Sequence, residues 1–187
     1  MRSSTVFIFV LLLTLCVSLS RPLALTEPRK CDEAIETIKG FQATIPPKLF
    51  TELYFNNAKG TKKNLTDYQG QGIVFNLWAT WCVPCVKEMP QLNRLKQILI
   101  NDKIEVLAIS IDRAGTPLIK KFYHKNNINN LDILADTSGK ILKKTNTRGL
   151  PTTLLINAKG KEIGRVLGVL DWDSSIVVEF IRSCLSP

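Results

Sequence analysis

Two cysteines separated by two residues, Cys82 and Cys85, are the side chains best suited to chemistry in this sequence. The apolar run at 72–78 predicts a buried strand just before them, and Pro84 suits the first turn of a helix that begins there. Cys82 would then lie at a helix N-terminus, where the helix dipole favours a thiolate. Because thiolates attack disulfides, the pair predicts thiol–disulfide exchange, with Cys82 attacking and Cys85 resolving.

Other uses of a Cys-x-x-Cys pair need partners at particular positions. A zinc site usually needs a second pair of Cys or His ligands, and His124 is the only histidine in the sequence. Covalent haem attachment needs a histidine directly after the second cysteine, where this sequence has Val86. We therefore expect no metal and no cofactor, while a purely structural disulfide stays open as an alternative.

The other cysteines lie near the ends of the sequence. Cys16 falls in an apolar N-terminal segment, and Cys31 and Cys184 each fall on an apolar helical stripe. The stripes are Cys31, Ala34, Ile35 and Ile38, and Trp172, Ile176, Phe180 and Cys184. A structural disulfide between Cys31 and Cys184 would stabilise the domain by roughly 4–5 kcal/mol in the chain-entropy model. Two separate buried thiols are the alternative, since sequence alone does not fix the pairing.

Residues 1–20 have the pattern of a targeting segment. Arg2 precedes an uncharged run over 3–20, and Arg21 follows it. This pattern predicts a secretory signal peptide. A retained membrane anchor is the main alternative because the run is close to the shortest that spans a bilayer. Lipidation at Cys16 is a third, disfavoured by the large Leu15 before it. All three place the remaining chain outside the cytoplasm, where structural disulfides can form.

The composition indicates a soluble globular protein of one domain, or two at most. The 187 residues are 45% apolar and 22% charged, which argues against a disordered, collagen-like or multi-span membrane chain. The formal charge of +9 is spread along the sequence, and its tightest cluster, at 120–125, is expected to be a solvated helix face. We expect no nucleic-acid partner because no binding motif accompanies the charge.

The elements that must position the cysteine pair alternate along the chain. Residues 21–47 are expected to form a polar tether with a short helix at 31–39, and 48–187 the main domain. We predict strands over 50–55, 62–64, 72–78, 104–111, 131–134, 152–156 and 162–167, helices over 83–100, 117–125 and 138–145, and a last helix starting at 171–173. This alternation, closed by a hairpin and a helix, predicts an α/β fold with a mixed sheet.

Two motifs give the sequence a family resemblance. Residues 81–85 and Arg148-Gly149-Leu150-Pro151-Thr152 resemble the two signatures of the thioredoxin superfamily, in which the second carries a cis proline facing the redox pair. Residues 76–81 followed by Glu88-Met89-Pro90 narrow the likeness to the TlpA/ResA/CcmG group, and to its TlpA branch most of all. The resemblance covers roughly residues 48–183. It implies a thioredoxin fold with an N-terminal β-hairpin extension and a central helix–strand insertion.

The resemblance also implies an activity. Members of this group are protein-disulfide reductases on the periplasmic side of the inner membrane, anchored or secreted, and a membrane thiol donor supplies their electrons. Their clients are apocytochromes c or copper-handling proteins that assemble cytochrome oxidase, and the TlpA likeness favours copper-site assembly. Alternatives are a disulfide-donating oxidase of the same fold, a Sco-like copper chaperone, which would need a histidine near the thiols, and a non-catalytic adhesion or assembly module.

Site residues beyond the cysteines follow from the same resemblance. Glu88 lies one helical turn after Cys85 and matches an active-site acid of the ResA-like branch, so we expect it to exchange a proton with Cys85. An exposed helix carboxylate is the alternative. Asn76 stands where thioredoxin has an acid and cannot relay protons. The residues expected to bind the client are Trp81, Pro84, Leu150 and Pro151, since proline has no N–H and leaves the backbone of Leu150 open to an extended strand.

Overall fold

The computed structural model describes Cys31 and residues 38–187. The targeting segment predicted at 1–20, the tether at 21–30 and nearly all of the helix predicted at 31–39 lie outside the described residues. The strands are β1 (Phe41–Leu49), β2 (Tyr54–Asn57), β3 (Lys62–Asn64), β4 (Gly72–Trp78), β5 (Ile104–Ser110), β6 (Leu134–Ala135), β7 (Thr152–Ile156) and β8 (Lys161–Leu167). The helices are α1 (Val83–Ile98), α2 (Thr116–Lys125), α3 (Lys140–Lys144) and α4 (Ser175–Leu185), with a 3-10 turn at Leu65–Tyr68. Within the described part of the chain, no helix combines the length and apolar character needed to cross a bilayer.

The eight strands of the described part of the chain belong to one mixed sheet, in the order β1-β8-β7-β4-β5-β6-β2-β3. The central strand β4 pairs in parallel with β5 and antiparallel with β7, and each of its seven residues is buried. Successive side chains of a strand point to opposite faces. Val74 and Trp78 therefore join the core cluster that includes α1 and α4, whereas Phe75 and Leu77 join a second cluster with the 3-10 turn and α3.

The predicted fold class is confirmed. The antiparallel hairpin of β2 and β3 extends the sheet beyond β6, and α2 with β6 forms the helix–strand unit inserted between β5 and α3. The remaining elements make a mixed sheet with helices on both faces. This arrangement brings the carboxyl end of β4 and the start of α1 to one edge of the sheet.

The first strand differs from the sequence prediction. The boundary predicted at residue 48 falls inside β1, which pairs with β8 and buries Phe41. Pro46 and Pro47 suggested a break because proline cannot donate to a strand ladder. β1 is an edge strand of the sheet, however, where missing donors can face away from the neighbouring strand. The packed unit therefore includes residues well before the predicted boundary.

The last helix also differs. It begins at Ser175 rather than at 171–173. Asp171 and Asp173 were expected to stabilise the first turn of this helix, but their carboxylates instead bind the side chains of Gln91 and Arg94 on α1. The apolar stripe predicted for this helix is confirmed at Phe180 and Cys184, which pack in the core, but is wrong at its other two positions. Trp172 precedes the helix and Ile176 is exposed; the buried residues are Val177, Val178, Phe180, Ile181 and Leu185. The short strands β2 and β6 likewise lie a few residues after their predicted positions.

Candidate active site

Cys82 and Cys85 lie at the junction between β4 and α1. Cys82 is the N-cap residue of α1, and its Sγ accepts a hydrogen bond from the backbone N–H of Cys85, with 3.3 Å between nitrogen and sulfur. The two Sγ atoms are 2.03 Å apart in a disulfide. In the reduced state, the same N–H and the N-terminus of α1 would both stabilise a thiolate on Cys82.

The surroundings of the pair are partly open. Cys85 is fully buried and Cys82 is 6% exposed, but Trp81 and Val83 are each 67% exposed. Pro84 is exposed in the first turn of α1. Exposed apolar side chains next to a buried sulfur offer a contact surface for another protein.

A buried carboxylate anchors the loop before Cys82. Asp112, just after β5, accepts hydrogen bonds from the backbone N–H of Thr80 at 2.9 Å and from its hydroxyl at 2.8 Å. The Ser110 hydroxyl donates to the same carboxylate at 2.8 Å. Asp112 is 3% exposed, so these bonds are shielded from water. The carboxylate thereby fixes the loop that presents Cys82, a role that the sequence analysis did not assign.

Glu88 lies inside the protein, on the second turn of α1. Its side chain is 2% exposed, which contradicts the alternative of an exposed carboxylate. Oε1 accepts a hydrogen bond from Asn76 Nδ2 and Oε2 accepts one from Trp172 Nε1, each at 2.9 Å. Burial raises the pKa of Glu88 to about 7, while hydrogen bonds from Trp172, Asn76 and the Leu170 backbone oppose that rise. An acid with this pKa can take up or release a proton near neutral pH.

Sequence reasoning missed two partners of Glu88. Asn76 is the single polar residue of the apolar strand β4, which was a signal for a buried polar role. Its Nδ2 also donates to Thr153 Oγ1 at 2.9 Å, and its Oδ1 is buried without a partner. Trp172 was assigned to an apolar stripe, and nothing in the local sequence indicated that its indole N–H would meet Glu88.

The second predicted loop lies at the same edge of the sheet. Leu77 pairs with Thr152, which places Pro151 beside the end of β4, and the Leu150–Pro151 peptide bond is cis. Leu150 and Pro151 line a groove of about 370 Å³ together with Arg148. A second groove, of about 510 Å³, is lined by Val83, Pro84 and Glu88, together with Lys39 and Lys87.

The remaining candidates lie apart from this arrangement. The Sγ atoms of Cys31 and Cys184 are 2.13 Å apart, as a disulfide joining the start of the described chain to α4. His124 is exposed on α2. Among Cys31 and residues 38–187, no group of three or more His, Cys, Asp or Glu side chains is placed to hold a metal ion.

Comparison with known proteins finds relatives that share the name thiol-disulfide oxidoreductase. The sequence profile of the AhpC/TSA family matches residues 41–162. Thiol-disulfide oxidoreductase ResA of Geobacillus kaustophilus is 35% identical over 119 residues, which are 64% of this chain and 64% of that protein. ResA of Bacillus subtilis is 29% identical over 114 residues, which are 61% of this chain and 63% of that protein. The chain thus aligns with just under two thirds of the length of these curated relatives.

Solved structures agree on the fold. A structure from Chlorobium tepidum that carries the name thiol:disulfide interchange protein DsbE superposes with a TM-score of 0.65 at 22% identity, covering 74% of this chain and 96% of that one. The exposed lipoprotein thioredoxin Etrx1 of Streptococcus pneumoniae superposes with a TM-score of 0.60 at 25% identity, covering 70% of this chain and 98% of that one.

These findings confirm the resemblance to thioredoxin-like proteins of the ResA type, whereas the nearer likeness to TlpA stays a prediction. The profile covers more than half of the sequence, and its span includes β1, the cysteine pair and Glu88. The chain therefore belongs to the AhpC/TSA family and has a thioredoxin-like fold.

Proposed function

We propose that this protein is a thiol–disulfide oxidoreductase that reduces disulfides in client proteins through Cys82 and Cys85. The observation that carries the proposal is the pairing of these two cysteines at the N-terminus of α1, with Glu88 buried one turn further along. The name thiol-disulfide oxidoreductase, shared by the relatives at 29–35% identity, supports it.

The reaction begins with both cysteines reduced. The Cys82 thiolate attacks one sulfur of the client disulfide, forming a mixed disulfide and releasing the other client sulfur as a thiolate. Cys85 passes its proton to Glu88 and attacks the Cys82 sulfur, which releases the second client sulfur. Two electrons have then moved to the client, whose two thiolates take up one proton from Glu88 and one from water, and the protein holds the Cys82–Cys85 disulfide. A dithiol donor must reduce that disulfide before the next cycle.

The residues around the sulfurs support a reductant. A strongly oxidising pair needs extra stabilisation of its reduced form, and the side chains of Val83 and Pro84 offer neither charge nor a hydrogen-bond donor. A measured reduction potential of about −120 mV, which lies at the DsbA-like end of the scale, would instead indicate that the protein is a disulfide donor.

The client would bind across both loops. The exposed rings of Trp81 and Pro84 offer apolar contact, and the backbone of Leu150 beside Pro151 can pair with an extended segment of the client. In this arrangement the client disulfide would approach Cys82 from the groove that Leu150 and Pro151 line.

The cellular setting is proposed from the sequence. A signal peptide or anchor at 1–20, followed by a tether, would place the thioredoxin-like unit on the outer face of the inner membrane, where a membrane thiol donor could reduce it. Its clients would then be apocytochromes c or copper-handling proteins, and its role cytochrome biogenesis. The Cys31–Cys184 disulfide is compatible with such an oxidising compartment.

Trapping tests the activity and the order of the cysteines. With insulin as the disulfide probe, Cys85→Ser should accumulate a mixed disulfide through Cys82 that a reducing agent releases, because the resolving thiol is missing. Cys82→Ser is the matched control and should trap far less. Adducts that form only through Cys85 would reverse the two roles. A reduced wild-type protein that never reduces insulin or any client would refute the proposed function.

A further inference from the structure

Trp172, which is distant from Glu88 in sequence, donates a hydrogen bond to one of the Glu88 carboxylate oxygens. The indole is fully buried in the segment between β8 and α4, and its N–H donates to Glu88 Oε2 at 2.9 Å. An indole N–H can donate but cannot accept. The carbonyl oxygen of a neutral carboxyl group is a better acceptor than its protonated oxygen, so this bond favours placing the proton of a neutral Glu88 on the other oxygen, Oε1.

The other oxygen of Glu88, Oε1, contacts the Asn76 amide, which can act either as a hydrogen-bond donor or as an acceptor. Asn76 Nδ2 donates to Glu88 Oε1 and to Thr153 Oγ1, both at 2.9 Å. The carbonyl end of the same amide, Oδ1, is buried without a partner. A half-turn of the amide group exchanges its two ends, which have nearly the same shape. The half-turn would put the unused acceptor within reach of both Glu88 and Thr153.

Both protonation states of Glu88 can then be satisfied. When Glu88 is charged, Asn76 donates to Oε1 and to the Thr153 hydroxyl. When Oε1 carries a proton, the turned amide accepts from Oε1 and from that same hydroxyl. The Asn76 amide makes two hydrogen bonds in each state, but its bond to the charged carboxylate is the stronger one, so it also lowers the pKa of Glu88. The Trp172 bond strengthens when Glu88 is charged, because hydrogen bonds to ionised acceptors are stronger than neutral ones.

We propose that Trp172 and Asn76 are positioning residues that keep the exchangeable proton of Glu88 on Oε1, with both favouring the charged form and Asn76 also able to accept a hydrogen bond from the neutral form. The inference rests on the proposed function only in giving that proton a use, the deprotonation of Cys85. The placement of the proton itself follows from the contacts of Glu88.

Other ionisable groups surround Glu88 and must stay constant in a test. Lys39, Lys87 and Asp171 line the same groove, and Cys82 and Cys85 lie at the start of the helix that carries Glu88. The neighbouring strands β4 and β7 contribute the neutral Asn76 and Thr153. The titration is therefore measured in the oxidised protein, in which the cysteines do not ionise, and the substitutions leave all three charged groups in place.

The experiment follows the side-chain carboxyl carbon of Glu88 by NMR as a function of pH. Trp172→Phe keeps an aromatic ring but removes the donor, and should raise the proton affinity of Glu88 about tenfold, the effect of one hydrogen bond to a charged group. Thr153→Val is the matched control in the same buried network. It removes one bond in each protonation state, so the affinity should change by less than about threefold.

A second readout needs no substitution of Trp172. In the wild-type protein the indole N–H resonance of Trp172 should change its chemical shift with pH, with the same midpoint as the titration of Glu88. In Glu88→Gln this pH-dependent change should disappear. This measurement decides the proposal even if Trp172→Phe does not fold.

Three results would overturn the inference: a Trp172→Phe midpoint within about twofold of wild type, equal shifts in Trp172→Phe and Thr153→Val, or an indole resonance that ignores Glu88. The titration needs no client, so its outcome is separate from the proposed function. An inactive protein with the expected shifts would refute only the function, and an active one without them would refute only this inference.

Discussion

The buried acid Glu88 gives this site a dependence on pH near neutrality. Glu88 is shielded by the sheet, by α1 and by the segment before α4, and it is held by donors from Asn76 and Trp172. Burial disfavours the carboxylate more than these donors favour it, so the pKa is raised from 4.5 to about 7. The folded protein therefore binds a proton that the unfolded chain releases at lower pH.

Glu88 should make the folded state less stable as the pH rises. Between pH 4.5 and about 7 the native state holds more protons than the unfolded chain, so the free energy of unfolding should fall across this window by roughly 2–3 kcal/mol. In Glu88→Gln that fall should vanish, because the amide does not titrate. Denaturant unfolding of the oxidised protein at several pH values measures the effect.

The control for this prediction is a glutamate on another helix. Glu179 is exposed on α4, and Glu179→Gln removes a carboxyl without touching the buried site. It should keep the wild-type slope of stability against pH. A Glu88→Gln protein with the same slope as wild type would show that another group titrates in this window.

At the scale of elements, the loop between β4 and α1 depends on the strand beside it. Asp112 follows β5, and its carboxylate binds the backbone and hydroxyl of Thr80, two residues before Cys82. The register of β4 with β5 places Trp78 opposite Ser110 and thereby brings Asp112 next to this loop. The parallel pair of strands therefore supports the position of the attacking sulfur.

Asp112→Asn should weaken both the fold and the reactivity of Cys82. The amide retains one acceptor oxygen for three donors, so about 1.5–3 kcal/mol of stability should be lost. The loosened N-cap should also slow alkylation of Cys82 in the reduced protein at neutral pH, by roughly threefold or more, because the thiolate is less well stabilised. Denaturant unfolding and alkylation kinetics measure the two effects.

Asp136→Asn separates stability from reactivity. Asp136 is also buried, and it accepts hydrogen bonds from the Ile141 backbone at 2.7 Å and the Ser138 hydroxyl at 2.6 Å, at the start of α3. This variant should lose a similar amount of stability and alkylate at the wild-type rate. Equal slowing in both variants would mean that general destabilisation, rather than the Asp112 contacts, governs Cys82.

At the scale of the whole molecule, one covalent bond joins the two ends of the described chain. Cys31 and Cys184 are separated by 153 residues in sequence, and their Cα atoms are 5.0 Å apart. The loop that they close contains the whole sheet and the Cys82–Cys85 pair. Such a long loop restricts the unfolded chain strongly, which raises the stability of the folded protein.

Cys31→Ser should lower the free energy of unfolding by about 4–5 kcal/mol under oxidising conditions, the chain-entropy value for a loop of this length. Cys184→Ser and the double variant should lose the same amount, since each removes the same bond. Unfolding under reducing conditions should abolish the difference from wild type. Additive losses in the double variant would indicate two separate buried thiols instead of a disulfide.

The sequence by itself determined the features that depend on neighbouring residues. The spacing of Cys82 and Cys85, the proline that begins α1 and the apolar run of β4 are local patterns, and the structure places all three as predicted. The fold class followed from the order of such patterns. The boundary before β1 did not, because a strand with two prolines is tolerated only at a sheet edge, and edges are set by the complete strand order.

Only the tertiary structure decided the surroundings of Glu88. Its partner Asn76 is 12 residues away in sequence, its partner Trp172 is 84 residues away, and Thr153 is 77 residues from Asn76. No local pattern specifies which distant donor meets a buried carboxylate, because that depends on how helix, sheet and loop pack together. The proton chemistry of this protein therefore depends on long-range packing, whereas the identity and spacing of its two reacting sulfurs are set by four consecutive residues.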